Sequence, residues 1–352
     1  MPRTMIAGIG MYVPENVVTN NDLLKYMDTS DEWIQERTGI RKRRYAHRTK
    51  ETTTTMGIEA AKQAIERAGL TAQDIDFIIF ATISPDYYFP GCGVLLQRAM
   101  KMKEIGALDV RNQCSGFVYA LSVGDQFIRT GMYKNILVVG SEKHSFGLDF
   151  STRGRNVSVI FGDGAGAVVL QPTNASSGSA SGILSTHLHS DGESAEILAM
   201  FNPGTHANHW TNEELADFDE AEIGEMFFSH SMIDKAQVFP NMEGPAVFKK
   251  AIEKFPEVIL ESLSANGMKP SDLKLLIPHQ ANLRISQFVQ KKLGLRDDQV
   301  VNNIQEYGNT TAASIPIALC EAWEQGRVQR GDLVCLAAFG SGFTWASALI
   351  KW

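Results

Sequence analysis

The chain has 352 residues, 44% of them hydrophobic and 21% charged, which suits a sizeable folded core and excludes wholesale disorder. A formal net charge of −7 argues against a nucleic-acid coat, which needs a dominant basic field. Four cysteines, at 92, 114, 320 and 335, form neither a zinc-type pair nor a disulfide ladder, and point to reduced thiols in a cytoplasmic protein.

In chain order, residues 1–18 hold a short apolar stretch broken by Gly and Pro, a first strand rather than a signal peptide. No stretch approaches the roughly 18 apolar residues of a spanning helix, so no membrane insertion is expected. Residues 58–68 read as a helix stopped at Gly69, and 77–82 as an apolar strand. Another helix and turn precede a strand at 136–140. Two further apolar strands are predicted at 157–161 and 165–170, around the turn Gly162-Asp163-Gly164. This alternation predicts an α/β architecture with buried strands.

The second half repeats the first. The stretch from Gly69 to Asp76 precedes one strand, and the stretch from Gly267 to Lys274, 198 positions later, precedes another. The same shift carries Ala120-Leu121 onto Ala318-Leu319, and strand 136–140 has a counterpart at 333–340. These coincidences suggest a duplicated βα unit. The Ser/Gly/Asn-rich stretch 173–182 is the natural joint, dividing a half at 1–172 from a half at 183–352. An apparent insertion at about 195–240 carries seven acids from Glu213 to Glu225 and the apolar cluster Met226-Phe227-Phe228. It reads as a solvated excursion or as a lid or dimer contact.

Three segments carry chemistry. Asp109-Val110-Arg111-Asn112-Gln113-Cys114-Ser115-Gly116-Phe117 sets a cysteine between a strand and a helix beginning near Ser115, where the helix dipole favours thiolate at neutral pH. Ile277-Pro278-His279-Gln280-Ala281-Asn282 sets a histidine just past an apolar strand. In Tyr307-Gly308-Asn309-Thr310-Thr311 a Gly-Asn turn opens another helix. Each alone is commonly structural: a core thiol, a satisfied histidine, an N-cap. All three at strand ends of a duplicated α/β core form a plausible ligand site.

With these motifs the chain resembles the β-ketoacyl-acyl-carrier-protein synthase III family, condensing enzymes of the thiolase superfamily. The resemblance also rests on Thr29-Ser30-Asp31-Glu32-Trp33-Ile34, Arg37-Thr38-Gly39-Ile40, Phe161-Gly162-Asp163-Gly164-Ala165-Gly166-Ala167 and Phe339-Gly340-Ser341-Gly342-Phe343-Thr344-Trp345. It implies a thiolase fold whose duplicated βα halves form a layered αβαβα core. It implies decarboxylative Claisen condensation of an acyl-CoA with malonyl-acyl carrier protein, initiating type II fatty-acid synthesis, by a homodimer with no resident cofactor or metal. Coenzyme A thioester would be a substrate.

The resemblance makes Cys114 the nucleophile and His279 and Asn309 neutral donors to the malonyl thioester oxygen. Backbone N–H groups of Cys114 and Ser341 would form the oxyanion hole. Thr29, Trp33, Arg37 and Arg153 would border the coenzyme A entrance, and Lys249, Arg284, Lys291 and Lys292 would receive an acidic carrier protein. Phe89, crossing a dimer interface, and Phe339 would line the acyl pocket.

Three departures bear on substrate. Arg111-Asn112-Gln113 stand where small residues are usual, Ser341 occupies the centre of what is often a triple glycine, and Ala346 replaces a common glycine. Related enzymes of secondary metabolism, making alkylquinolones, dialkylresorcinol precursors or long-chain β-keto acids, are the neighbouring alternative. A Cys-His-Asn hydrolase and a catalytically idle thiolase-fold subunit are the more distant ones.

Overall fold

The computed structural model describes residues 3–173, 181–205 and 230–352. The acidic and apolar runs at 213–228, and most of the joint at 173–182, lie outside the described residues. The strands of the first half are β1 (Thr4–Tyr12), β2 (Val17–Thr19), β3 (Lys42–Arg44), β4 (Phe77–Ala81), β5 (Gly106–Val110), β6 (Ile136–Glu142) and β7 (Gly164–Pro172). Those of the second are β8 (Gly182–Ser190), β9 (Leu198–Ala199), β10 (Asn241–Met242), β11 (Leu275–Pro278), β12 (Leu333–Gly340) and β13 (Thr344–Lys351).

In the first half β4 runs parallel to β5 and β6, while β7 is antiparallel to both β6 and β1, giving the order β1-β7-β6-β4-β5. The second half repeats the pattern as β11-β12-β13-β8, with β11 parallel to β12 and the remaining pairs antiparallel. Among the described residues it has no full counterpart of β5; a single bridge between Leu276 and Val300 stands in that place.

Side-chain alternation sorts these strands into layers. On β6, Ile136 and Val138 join one buried cluster while Leu137 and Val139 join another. On β12, Val334, Leu336 and Ala338 face the first cluster while Cys335, Ala337 and Phe339 face a third. The shared cluster contains helices Gly116–Arg129 and Ser314–Glu324, which therefore lie between the two sheets. Helix Thr53–Arg67 covers the outer face of the first sheet, and helices Gly244–Ser264 and Leu283–Leu293 cover that of the second. The result is the expected αβαβα stack. Each fully buried Val, Leu or Ile stabilises it by about 1.5–3 kcal/mol relative to exposure, so strands buried on both faces hold the centre.

The expected duplication is visible in three dimensions. The short 3-10 turns Ala72–Asp74 and Pro270–Asp272 are 198 positions apart, as are Gln113–Ser115 and Thr311–Ala313. Each of the latter pair leads directly into one of the two central helices.

One predicted strand is wrong. Residues 157–161 are not a strand: Arg155–Ser158 is a helical turn, and Phe161 makes only an isolated bridge to Asn309. The run is apolar because Val157, Val159, Ile160 and Phe161 pack in a separate cluster with Ile34 and Leu23. A short apolar run reports burial without distinguishing strand from helix. At the described ends of the 195–240 stretch, β9 pairs with β10 and His230–Asp234 is helical. Among the described residues, no helix is long and apolar enough to cross a membrane.

Candidate active site

Cys114 lies in the 3-10 turn at the entry of helix Gly116–Arg129, 8% exposed. The preceding residue, Gln113, has φ of +45°. The Cys114 sulfur faces its own backbone N–H, the Ser341 backbone N–H and the Thr311 hydroxyl. The two amides are thus the pair expected of an oxyanion hole. The Ser341 hydroxyl turns away to the Leu198 carbonyl, so the bulk added at a usual glycine leaves its amide facing the sulfur. A Cβ on Gly340 would sit 2.7 Å from Cys114 Cβ and 3.2 Å from its sulfur, so the loop approaches Cys114 only because that residue is glycine.

The expected neutral-pH thiolate is not the resting state. Burial and the nearby Glu142 carboxylate push the Cys114 thiol up to about 12. A helix N-terminus contributes about 0.3–2 kcal/mol, whereas full burial shifts a group by up to ~3–5 pKa units, each about 1.4 kcal/mol. Desolvation prevails, and the sulfur keeps its proton at neutral pH.

The remaining site residues are assembled by the turn 311–314. Asn309 Oδ1 accepts the Thr311 backbone N–H at 2.8 Å, which leaves its Nδ2 as the end able to donate elsewhere. His279 follows β11 and donates its backbone N–H to the Ala337 carbonyl at 2.8 Å. Its Nδ1 lies 2.7 Å from Ser314 Oγ, which is also 2.9 Å from the Thr311 carbonyl. Ser314 has one hydroxyl proton. Given to Nδ1, it leaves the ring proton on Nε2 as a donor; given to Thr311, it leaves Nε2 bare. That Nε2 is buried and has no hydrogen-bond partner among the described residues. Burial, with His144 close by, lowers the His279 pKa to about 3, so the ring is neutral at working pH.

Sequence reasoning passed over four side chains here: Glu142, His144, Thr311 and Ser314. Glu142 ends β6, fully buried, and its carboxylate accepts from the Thr82 hydroxyl at 3.1 Å, the Ile83 and Ser84 backbone N–H groups at 3.2 Å and the Ala312 backbone N–H. Burial raises its pKa to about 7. It ties the end of β4 to the turn beside the nucleophile. Close approach of that turn to β6 also requires Gly140, where a Cβ would meet the Ala312 carbonyl at 2.4 Å. Thr311 closes the motif around Asn309 and Ser314 follows three residues later, but nothing local in the sequence marks either as central.

The outlying residues fall in three places. Arg37 and Arg155 lie over the Trp33 ring, 4.3 and 5.1 Å from its centroid; Arg155 was not anticipated. Nearby, Thr29 Oγ1 is buried without a partner, while Arg153 is bound to Asp149 at 2.7 Å and to the Asp234 carbonyl at 3.0 Å. Lys249 is exposed on helix Gly244–Ser264, beside Phe248, whose ring lies 5.7 Å under the Arg284 guanidinium. Lys291 and Lys292 are exposed at the far end of helix Leu283–Leu293, about 10 Å along the axis from Arg284. Phe89 is 80% exposed, whereas Phe339 packs against Phe343 at 5.0 Å in the outer cluster. Alternation along β12 puts its ring on the face opposite Ala338 and Gly340, the residue that approaches Cys114.

Comparison with known proteins agrees with this geometry. Residues 108–192 match the family model described as 3-Oxoacyl-[acyl-carrier-protein (ACP)] synthase III, and residues 263–352 match that of its C-terminal part. The β-ketoacyl-[acyl-carrier-protein] synthase III of Xanthomonas campestris is 45% identical over 348 residues, covering 99% of this chain and 98% of that protein. The protein of that name from Rhodospirillum centenum is 42% identical over 351 residues, 99% of each chain. The crystal structure of 3-oxoacyl-[acyl-carrier-protein] synthase III from Aquifex aeolicus superposes with a TM-score of 0.84 at 42% identity, covering 99% of this chain and 100% of that one. The chain therefore belongs to the 3-oxoacyl-[acyl-carrier-protein] synthase III family.

Proposed function

We propose that this protein condenses an acyl-CoA starter with malonyl-acyl carrier protein, releasing carbon dioxide and a 3-oxoacyl thioester, at the start of type II fatty-acid synthesis. The observation that carries this reading is the turn 311–314, which hydrogen-bonds His279 and Asn309, sets the Thr311 hydroxyl against Cys114, and leaves a buried imidazole nitrogen without a partner among the described residues. The N-terminal half (1–172) supplies the nucleophile and the C-terminal half (183–352) the two donors.

In the first half-reaction the Cys114 sulfur bonds the acyl carbon, and coenzyme A leaves as its thiol, carrying the proton that Cys114 gave up. In the second, the malonyl carboxylate departs as carbon dioxide, and the oxygen of the resulting enolate is held by His279 Nε2–H and Asn309 Nδ2. The enolate carbon attacks the acyl-Cys114 carbonyl, whose oxygen is held by the Cys114 and Ser341 amides. Collapse expels the sulfur, which takes one proton from water. Loss of carbon dioxide supplies the carbanion, so the chemistry needs no resident cofactor.

Trp33, with Arg37, Arg153 and Thr29, receives coenzyme A: a stacking face for adenine, cations for its phosphates. Lys249 and Arg284 form the near part of the carrier-protein patch, with Lys291 and Lys292 farther along the helix. The open edge of β5, with exposed Leu108, Val94, Tyr87, Tyr88 and Phe89, supports a homodimer through that face. Four free thiols support a cytoplasmic location. The test is intact-mass detection of acyl-Cys114 across short, long and aromatic acyl-CoA donors, followed by product analysis with malonyl carrier protein. Acyl-Cys114 and a 3-oxoacyl product are expected; free acid released without an extender would indicate a hydrolase and overturn the reading.

A further inference from the structure

Beside the three expected residues lies a second buried histidine for which that reading has no use. His144 is 8% exposed, and its Nε2 is 2.7 Å from the Thr311 hydroxyl, which also faces the Cys114 sulfur. Its ring packs against Phe161 with centroids 4.6 Å apart. The 3-10 turn His144–Phe146 that carries it is held by Asp163, whose carboxylate accepts the Ser145 backbone N–H at 2.9 Å as well as the His144 backbone N–H. Thr311 itself has φ of +48°, an outlying conformation for a β-branched residue that persists only where the surroundings impose it. Burying an imidazole costs desolvation that an apolar side chain of similar size would not.

We infer that His144 is a positioning residue for acylation, drawing the Cys114 proton through the Thr311 hydroxyl as the sulfur attacks the acyl-CoA carbonyl. This rests on the proposed condensation and adds a proton route to it. The Cys114 S–H bond breaks as the sulfur bonds the thioester carbon. Its proton passes to Thr311 Oγ1 while the Thr311 proton passes to His144 Nε2. When the tetrahedral adduct collapses, the bond from carbon to the coenzyme A sulfur breaks, and the proton returns through Thr311 to that sulfur. Acyl-Cys114, free coenzyme A thiol and two neutral groups remain. No electron is gained or lost.

The arrangement divides labour between two histidines, leaving the His279 ring proton for the enolate. Among the described residues, the titratable groups that meet His144 are Asp163, through the His144 backbone N–H, and His279; Lys143, next in sequence, points its ammonium away to the His47 and Arg48 carbonyls. Burial lowers the His144 pKa to about 3, so it starts each cycle as a neutral acceptor.

The experiment is rapid-mixing acylation of the full-length protein with whichever acyl-CoA the wild type accepts, read as coenzyme A release and acyl-enzyme mass. His144→Leu, His144→Gln and Thr311→Val should each slow acylation by about 100-fold, and the His144→Leu/Thr311→Val double variant should be no slower than the singles. Thr311→Ser, which keeps the hydroxyl, should restore most of the rate. Wild-type acylation should be nearly independent of pH between about 7 and 9, while the His144 variants should rise up to tenfold per pH unit as free thiolate replaces the relay. Acylation by folded His144→Leu or His144→Gln within about threefold of wild type, or multiplicative losses in the double variant, would overturn the inference. Thr311→Val reports separately should His144→Leu not fold. A wild type that never forms acyl-Cys114 would instead remove the proposed condensation.

Discussion

Gln113 and Thr311 are the same residue of two copies: 198 positions apart, both with left-handed backbone (φ of +45° and +48°), each opening a 3-10 turn that leads into a central helix. They meet at Cys114, one preceding it in the chain and the other setting its hydroxyl against the sulfur. Left-handed backbone at a non-glycine residue stores local strain, and such strain gathers at functional sites.

The two positions should part company on mutation. Gln113→Gly relieves strain without touching the described hydrogen-bond network, and the melting temperature should hold or rise by the equivalent of up to about 1 kcal/mol. A fall of more than that amount, measured by calorimetry, would show that Gln113 is not strained.

Gly340→Ala should abolish acylation while leaving the protein folded. The added methyl would stand 2.7 Å from Cys114 Cβ, so the nucleophile or the loop bearing the Ser341 amide must shift. Loss of an oxyanion donor alone costs about 10²–10³ in rate. Acyl-enzyme forming at more than a tenth of the wild-type rate would contradict the close approach.

Ser314→Ala removes the hydroxyl that can give its proton to His279 Nδ1. Malonyl decarboxylation, which needs the proton on Nε2, should fall by about 10²-fold. Acyl-Cys114 formation should fall far less. The two half-reactions, followed separately by mass spectrometry, should therefore diverge; equal losses in both would assign Ser314 a purely structural part.

Resting Cys114 should be a thiol. With its pKa pushed up to about 12, the protonated form dominates below that value, and ultraviolet absorbance of thiolate, taken as wild type minus Cys114→Ala, should stay flat between about pH 6 and pH 9. A step centred near neutrality would mean that the helix terminus outweighs burial.

Acid should destabilise the fold through its two buried histidines. His144 and His279 titrate near 3 when folded and near 6.5 when unfolded, so in between the unfolded chain binds more protons and stability falls as pH falls. Glu142, raised from 4.5 to about 7, acts in the opposite sense, its contribution being lost as pH rises through its folded value. His144→Leu should flatten the pH dependence of the urea midpoint between about pH 4 and 6, by up to about 1.4 kcal/mol per unit. An unchanged slope would show that His144 is charged in the native state.

Much of this was legible in residue order. Strand 136–140 announced itself by an unbroken apolar run, the duplication by a constant spacing, and the motifs around Cys114, His279 and Asn309 by their chemistry. The stretch 157–161 misled because its apolarity reflects packing in a side cluster. His144 could not be found, since a lone histidine between a lysine and a serine carries no local signal; only its 2.7 Å contact with a hydroxyl 167 residues away gives it meaning.

From composition and order alone came the α/β class, the repeat and the side chains able to do the chemistry, because periodicity and residue type are properties of neighbouring positions. Protonation, hydrogen-bond direction and the grouping of residues 114, 144, 279, 309 and 311 were decided only when two sheets closed over a shared helical layer. Desolvation depends on everything within a few ångströms, and at this site most of what lies that close is distant along the chain.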